Sequence, residues 1–325
     1  MTTVLVAGGA GYVGSHACKA LAKEGFTPIV FDNLSTGHDW AAKWGPLEIG
    51  SIHDDSRLDQ VFEKYQPTAV MHFAAHAYVG ESMVEPEKYY KLNISGTLNL
   101  LSAMHRASCN KLIFSSSCTV YGDAVSPISE MFAIKPINPY GVTKALVEQA
   151  LADFNRAYGL NFIAFRYFNA AGADPDCEIG EEHNPETHLI PLVILSALGQ
   201  REGISVFGTD YPTPDGSCIR DYIHVSDLAQ AHVLGLKSLM SGGKSDFYNL
   251  ANGRGYSVFE VIECIKRVSG KDIPMTYAPR RPGDPAALIA NSEKARSELH
   301  WKPAYESLEE IVETALRWHS SRAPY

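Results

Sequence analysis

Residues 8–14 read Gly8-Gly9-Ala10-Gly11-Tyr12-Val13-Gly14 and follow the short apolar run Val4–Ala7 directly. The run has the length and composition of a buried strand. Val13, Ala17, Ala20 and Leu21 then recur at helical spacing, and Gly25 supplies a stop. A glycine triplet alone is a weak signal. Placed between a first strand and a first helix, Gly8, Gly11 and Gly14 let backbone amides close on a pyrophosphate at the positive end of the helix. Ile29–Phe31 reads as a second strand, and Asp32 stands at its end. A carboxylate there bonds both hydroxyls of an adenosine ribose and repels a 2′-phosphate, which favours NAD over NADP.

Outward from the loop the same rhythm continues. Ala69–Phe73 and Leu112–Phe114 read as buried strands, preceded by helical patterns over Arg57–Tyr65 and Thr97–Ala107, and Phe162–Phe165 follows another helix that starts near Tyr140. Apolar strands alternating with helices imply a parallel sheet covered on both faces. After Asn169 the alternation stops. Residues 173–188 are polar and 208–217 are loop-rich, Val225–Leu239 reads as a helix, and Ser307-Leu308-Glu309-Glu310 fits a capping box opening a last helix to about His319. The expected fold class is α/β: a Rossmann-type doubly wound parallel sheet over residues 1–168, and a smaller mixed α/β substrate domain over 169–325. Elements near 225–250 are expected to pack back on the first domain.

The chain has 325 residues, 45% of them hydrophobic, and a formal net charge of −9. That balance excludes a general nucleic-acid binder, which needs a basic face to displace counterions. Six cysteines form no C-x-x-C pair and no H-E-x-x-H occurs, so no metal is expected. The start, MTTVLVAGG, lacks a basic leader and a long apolar run, so a cytoplasmic protein with no membrane association is expected.

The stretch Asn138-Pro139-Tyr140-Gly141-Val142-Thr143-Lys144 carries the chemistry. Asn-Pro starts a helix, and residues four apart share a helix face, so Tyr140 and Lys144 point the same way. A free phenol titrates near 10 and is a poor base at neutral pH, whereas a neighbouring ammonium favours the phenolate. Among sixteen tyrosines Tyr140 is the only one followed by lysine at that spacing. Composition alone produces such a pair in roughly half of chains this long. The pair gains weight from Ser115-Ser116-Ser117-Cys118-Thr119-Val120-Tyr121-Gly122, at the C-terminal end of an expected strand, where open parallel sheets bind ligands.

Glycine loop, Asp32, serine strand end and Tyr-x-x-x-Lys together resemble the extended short-chain dehydrogenase/reductase family. HFAAHAYVGES (72–82), FSSSCTVYG (114–122), NPYGVTK (138–144), RYFNAAGADP (166–175), GTDYPTPDGSCIRDYIHV (208–225), YNLANG (248–253) and APRRPGD (278–284) are similar to the UDP-glucose 4-epimerase branch of it. The resemblance implies an NAD-dependent isomerase acting on a UDP-sugar through a transient 4-keto sugar, and a homodimer. It makes Tyr140 the acid/base, Lys144 the residue that tunes it and binds the nicotinamide ribose, and Ser117 the proton-transfer partner, with Thr119 beside the sugar. It assigns the NAD site to Gly8, Gly11, Tyr12, Val13, Gly14, Asp32, Asn33, Ser51, Ile52, Phe73, Ala74, Ala75, Asn93, Ser115 and Tyr167 alongside Tyr140 and Lys144. It places Asn169, His188, Leu189, Val206, Phe207, Arg220, Arg281, Asp284 and Leu288 around the sugar nucleotide. Arg220 and Arg281, expected in loops, would bracket the diphosphate, whose oxygens suit guanidinium forks.

Four positions depart from well-known bacterial members: Ser51 for aspartate, Ala77 for lysine, His188 for asparagine and Leu288 for tyrosine. The neighbours of Ser117 are Cys118, Thr119 and Val120. No acid stands there to eliminate water or assist decarboxylation, which argues against the dehydratases and decarboxylases of the same fold. UDP-glucose and UDP-galactose are the default pair. UDP-xylose/UDP-arabinose and UDP-N-acetylhexosamine pairs are alternatives, and an NAD-sensing binding protein is the non-enzymatic one. His72 and His76 read as structural.

Overall fold

The computed structural model describes residues 2–281 and 283–322. The first half alternates β1 (Thr3–Ala7), α1 (Tyr12–Lys23), β2 (Thr27–Asp32), β3 (Leu47–Ile49), α2 (Asp55–Tyr65), β4 (Ala69–His72), α3 (Val79–Val84), α4 (Pro86–Tyr89), α5 (Gly96–Arg106), β5 (Lys111–Ser117), α6 (Pro139–Tyr158) and β6 (Asn161–Tyr167). A π-helical turn, Tyr90–Ser95, joins α4 to α5. The second half holds β7 (Asn169–Ala171), α7 (Leu189–Ala197), β8 (Ile204–Phe207), β9 (Ile219–His224), α8 (Val225–Met240), β10 (Asp246–Leu250), β11 (Gly255–Ser257), α9 (Val258–Ser269), β12 (Met275–Ala278), β13 (Ala287–Leu288), α10 (Glu293–Glu298) and α11 (Leu308–Ser321).

A seven-stranded sheet runs in the order β10-β6-β5-β4-β1-β2-β3, and every neighbouring pair in it is parallel. The chain winds outward from β1 through β2 to β3, returns to β4 on the other side of β1, and winds outward again. The order reverses between β1 and β4, the place where open parallel sheets take ligands at their strands' C-terminal ends. The strand period of two explains the two cores. Val4 and Val6 of β1 face a layer containing Ala17 and Leu21 of α1 and Leu228 and Leu236 of α8. Leu5 and Ala7 face the opposite layer, with Leu58 of α2, Leu100 and Met104 of α5, and Leu151 of α6. Helix α8 therefore belongs to the first sheet although it lies far along the chain. Its Gly235 permits that approach, because a Cβ there would meet Phe165 at 2.9 Å. Burying Leu228 and Leu236 contributes about 1.5–3 kcal/mol each.

The smaller half is built on β9. Strands β7 and β13 pair with it in parallel and β11 antiparallel, while β8 and β12 form a separate parallel pair. Helices α7, α9 and α11 close on these strands through Val193, Ile194, Val261, Ile265, Ile311 and Val312. Both α9 and α11 begin with a capping box, Ser257/Glu260 and Ser307/Glu310. Arg220 lies on β9 rather than in a loop. Among the described residues no helix is long and apolar enough to cross a membrane.

Candidate active site at the carboxyl edge of the sheet

Each glycine of the first turn has its own reason. Gly8 takes a positive φ of 80°, and a Cβ on it would strike the backbone nitrogen of Ala74 at 2.5 Å. The turn after β1 and the Phe73-Ala74-Ala75 turn after β4 thus meet backbone to backbone. A Cβ on Gly14 would lie 2.1 Å from the carbonyl oxygen of Gly8, whereas one on Gly11 would meet only that oxygen, at 3.4 Å. Gly14 is needed for packing; Gly11 leaves a face of the turn open at the start of α1. Beside it, buried Asp32 accepts hydrogen bonds from the backbone nitrogens of Ala10 (2.9 Å) and Leu34 (2.8 Å). Burial raises its carboxyl above the usual range, partly offset by those bonds. Asn33 is exposed and turns its side chain to the backbone of Ser35. The Ser51 hydroxyl accepts from the backbone of His53, and buried Ile52 fills the space that Gly96 leaves. The open face, the carboxylate with its remaining lone pairs and the amide-lined turn suit a dinucleotide.

Tyr12 reaches across to the other half, donating to the carbonyl of Gly172 at 2.6 Å, and Val13 packs on the core. Asn93 in the π-helical turn accepts from the backbone nitrogen of His76 (2.9 Å) and donates to its carbonyl (3.1 Å) and to Thr143 (3.1 Å). Both ends of its amide are engaged, so Asn93 acts as a latch between the turn after β4 and α6. His72 is buried, bonds Thr97 at 2.8 Å and is held neutral, its value pushed down to about 3 by burial.

The candidate reacting groups stand at the C-terminal end of β5 and the start of α6. Asn138 caps α6 by accepting from the backbone nitrogen of Gly141 (2.8 Å), and Pro139 is the first helical residue. Tyr140 and Lys144 are both buried, one turn apart. Lys144 Nζ donates to the Ser115 carbonyl at 2.7 Å and lies 5.8 Å from the centre of the Tyr140 ring. Tyr167 bonds the Ser115 hydroxyl. Ser117 ends β5, and its oxygen accepts from both the backbone nitrogen (3.2 Å) and the hydroxyl (3.0 Å) of Thr119. Both lone pairs are used, which leaves its O–H to donate outward.

The electrostatics correct one expectation. Lys144 was expected to pull the Tyr140 phenol down. In the polypeptide itself burial dominates both groups: Tyr140 is pushed well above 10, with Ser117 pulling it back, and Lys144 is pushed down to about 7, with Glu148 pulling it up. The ammonium is turned to a carbonyl, and desolvation of either charge outweighs their attraction at this separation.

The second half supplies the opposite wall. Arg220 on β9 and Arg281 both pair with Asp284, the latter at 3.0 Å, and the Arg281 guanidinium lies 5.1 Å from the centre of the half-exposed Phe207 ring. Asn169 donates to the carbonyl of Asp221 at 3.0 Å. Leu288, next to Arg220 across the β13–β9 pairing, packs with Cys118, Val120, Tyr121 and Phe168, directly behind the Ser117 tip. Val206 is 1% exposed and its side chain lies in the core, so only its backbone faces away from that core. His188 occupies the N-cap position of α7 without a side-chain capping bond, and Leu189 is the first helical residue. The His188 Nδ1 lies 2.8 Å from Glu181 and 2.9 Å from Glu186.

Residues 4–251 match the NAD dependent epimerase/dehydratase family. The chain belongs to that family. It is 52% identical to the UDP-glucose 4-epimerase of Rhizobium leguminosarum bv. trifolii over 319 residues, covering 98% of this chain and 97% of the relative. The crystal structure of UDP-glucose 4-epimerase from Brucella ovis in complex with NAD is 50% identical, with a TM-score of 0.95 and 98% of each chain covered. The UDP-glucose-4-epimerase of Stenotrophomonas maltophila, solved with NAD and formylated UDP-arabinopyranose, is 38% identical, with a TM-score of 0.94, 99% of this chain and 98% of the other covered.

Two features of this family member lay outside the sequence reading. Buried Glu148, one turn beyond Lys144, holds Arg166 in a two-point pair at 2.9 and 2.7 Å and accepts from Ser116 at 2.6 Å. Arg166 continues to Tyr121 (2.9 Å), and Tyr121 to Asn249 (2.7 Å). This network ties α6, β5, β6 and β10 beneath the reacting groups. Its one signal in sequence is the four-residue repeat Tyr140, Lys144, Glu148. The other feature is the acidic pair holding His188.

Proposed function

We propose that this chain interconverts UDP-glucose and UDP-galactose by inverting C4, using NAD and a transient 4-keto sugar. The observation that carries the reading is the convergence of Tyr140, Lys144 and Ser117 at the C-terminal edge of the parallel sheet. The residues that follow Ser117 are Cys118, Thr119 and Val120, with no carboxylate among them. Elimination or decarboxylation needs an acid at that place; inversion needs only a proton relay.

Gly11, Asp32, the Phe73-Ala74-Ala75 turn and Lys144 would hold NAD, with Gly8 and Gly14 shaping the turn. Bound NAD supplies a reversible hydride acceptor, which C4 inversion requires because no carbonyl acidifies that hydrogen. The chain's own work is proton transfer and positioning. Tyr140 takes the O4 proton and gives it back, and the Ser117 hydroxyl donates to the same oxygen or relays the proton. Lys144 supports the phenolate once it faces the ribose side of the cofactor. Arg220 and Arg281 hold the diphosphate, Phe207 flanks the uracil and Asp284 meets the ribose. The charged anchors sit at the nucleotide, so UDP is fixed while the sugar keeps room to turn.

The division of labour follows the two halves: a cofactor half with its parallel sheet, joined by α8 and β10, and a UDP-sugar half around β9. A second copy of the chain covers the outer face of the helices α3 to α6, where Val84, Tyr90, Leu98 and Leu146 are exposed. Six free cysteines, five of them buried, suit a reducing cytoplasm.

The test is product analysis of the purified protein with UDP-galactose, UDP-arabinose and UDP-N-acetylgalactosamine in parallel, with and without added NAD. UDP-galactose is expected to yield UDP-glucose. No conversion of any of them with NAD present would overturn the reading.

A further inference from the structure

The loop before α7 gathers four side chains that the proposed reaction does not need together. Glu181, His183, Glu186 and His188 each offer one ligand atom, and these atoms all lie within 4.8 Å of one another. The Glu181 and Glu186 side chains are 5% and 7% exposed. Two carboxylates buried side by side need about two positive charges nearby. Either two imidazolium rings or one divalent cation supplies them.

The positions of the nitrogens discriminate. The His183 Nδ1 lies 3.3 Å from Glu181 Oε1 and 3.5 Å from Glu186 Oε2. Yet both His183 Nδ1 and Glu186 Oε2 are buried atoms with no hydrogen-bond partner. An imidazolium donor would aim its proton at one carboxylate oxygen. Here the His183 nitrogen instead lies within 3.5 Å of an oxygen of each carboxylate without forming a hydrogen bond to either, at the spacing of neighbouring ligands on one ion. The His188 Nδ1, hydrogen-bonded to Glu186 Oε1 at 2.9 Å and 2.8 Å from Glu181 Oε1, completes the set.

We infer that Glu181, His183, Glu186 and His188 form a binding site for a divalent transition-metal ion of the zinc class. Two imidazoles and two carboxylates suit such an ion, whereas magnesium and calcium prefer all-oxygen shells. The ion clasps the loop before α7 against the first half of the chain. The Tyr12 ring lies 6.3 Å from the His183 ring, and the Tyr78 ring lies 6.1 Å from both His183 and His188. The site is structural and stands apart from the epimerase assignment. The spacing here, Glu-x-His-x-x-Glu-x-His, lies in a loop and is neither a cysteine pair nor H-E-x-x-H.

The test titrates ZnCl2 into the full-length, EDTA-treated protein by calorimetry, beside His183→Gln and Glu186→Gln, with MgCl2 as control. One saturating equivalent of zinc is expected, weakened about 100-fold or more in either variant, with no saturable heat from magnesium. Zinc X-ray absorption on the wild-type complex keeps the test independent of how the variants fold. It should show a nitrogen/oxygen shell at about 2.0–2.1 Å with histidine scattering and no sulfur. No one-to-one binding, unchanged binding in both variants, or a sulfur-containing shell would leave an ion-paired quartet only and overturn the inference.

Discussion

Lys144 Nζ donates to the carbonyl oxygen of Ser115 at 2.7 Å while lying 5.8 Å from the centre of the Tyr140 ring. Burial lowers Lys144 from 10.5 to about 7. A lysine whose folded value lies below its unfolded value binds fewer protons when folded, so its contribution to stability rises with pH between about 7 and 10.5. Comparing unfolding free energies of the cofactor-free wild type and Lys144→Met at pH 6.5 and pH 9 should show the difference moving in favour of wild type at the higher pH. A difference independent of pH would show that Lys144 is not desolvated.

Removing the phenol tests the proton relay. Tyr140→Phe should retain the fold and NAD binding and lose about 10²–10⁴-fold in kcat, the usual worth of a general acid/base. Turnover at the wild-type rate would remove Tyr140 from the relay.

The buried pair beneath the site is structural. Glu148→Gln leaves the Arg166 guanidinium without its charge partner in the interior, which should cost about 3–5 kcal/mol in chemical denaturation. A loss below 1 kcal/mol would mean that water or another group compensates.

The glycine turn separates packing from binding. Gly14→Ala places a methyl 2.1 Å from the Gly8 carbonyl oxygen and should lower the melting temperature sharply. Gly11→Ala meets only an atom at 3.4 Å, so its melting temperature should stay near wild type while NAD affinity falls. Equal effects of the two on melting and on affinity would contradict the assignment of the open face to the cofactor.

Leu288 packs with Cys118 and Tyr121 and is proposed to set the room behind the sugar. Leu288→Tyr should reduce turnover of UDP-N-acetylgalactosamine more than that of UDP-galactose, because it adds bulk beside Cys118 and Tyr121. Equal losses on both sugars would reject a gating role.

The parts legible in sequence are those with local rules. The glycine turn, the strand-end Asp32, the Asn138 cap and the Ser307 capping box each depend on a few adjacent residues. What was missed depends on distant ones. Strand β3 has three residues at the sheet edge, too few to carry a pattern. Strand β9 reads Ile-Arg-Asp-Tyr-Ile-His, and its buried Asp221 and His224 mask the alternation, so Arg220 looked like a loop residue. The latch made by Asn93 and the Glu148–Arg166 pair exist only once α6 lies against β5 and β6. The sign of the Tyr140 shift depends on burial, which no spacing rule contains.

The measurement that tests the central claim most directly is conversion of UDP-galactose in D2O, with mass and NMR analysis of C4 in the product. If hydride leaves and returns within one closed site while Tyr140 handles only the O4 proton, the UDP-glucose formed carries no solvent deuterium at C4. Deuterium appearing at C4 in step with turnover would mean that the carbon exchanges its hydrogen as a proton, and the proposed mechanism would fall.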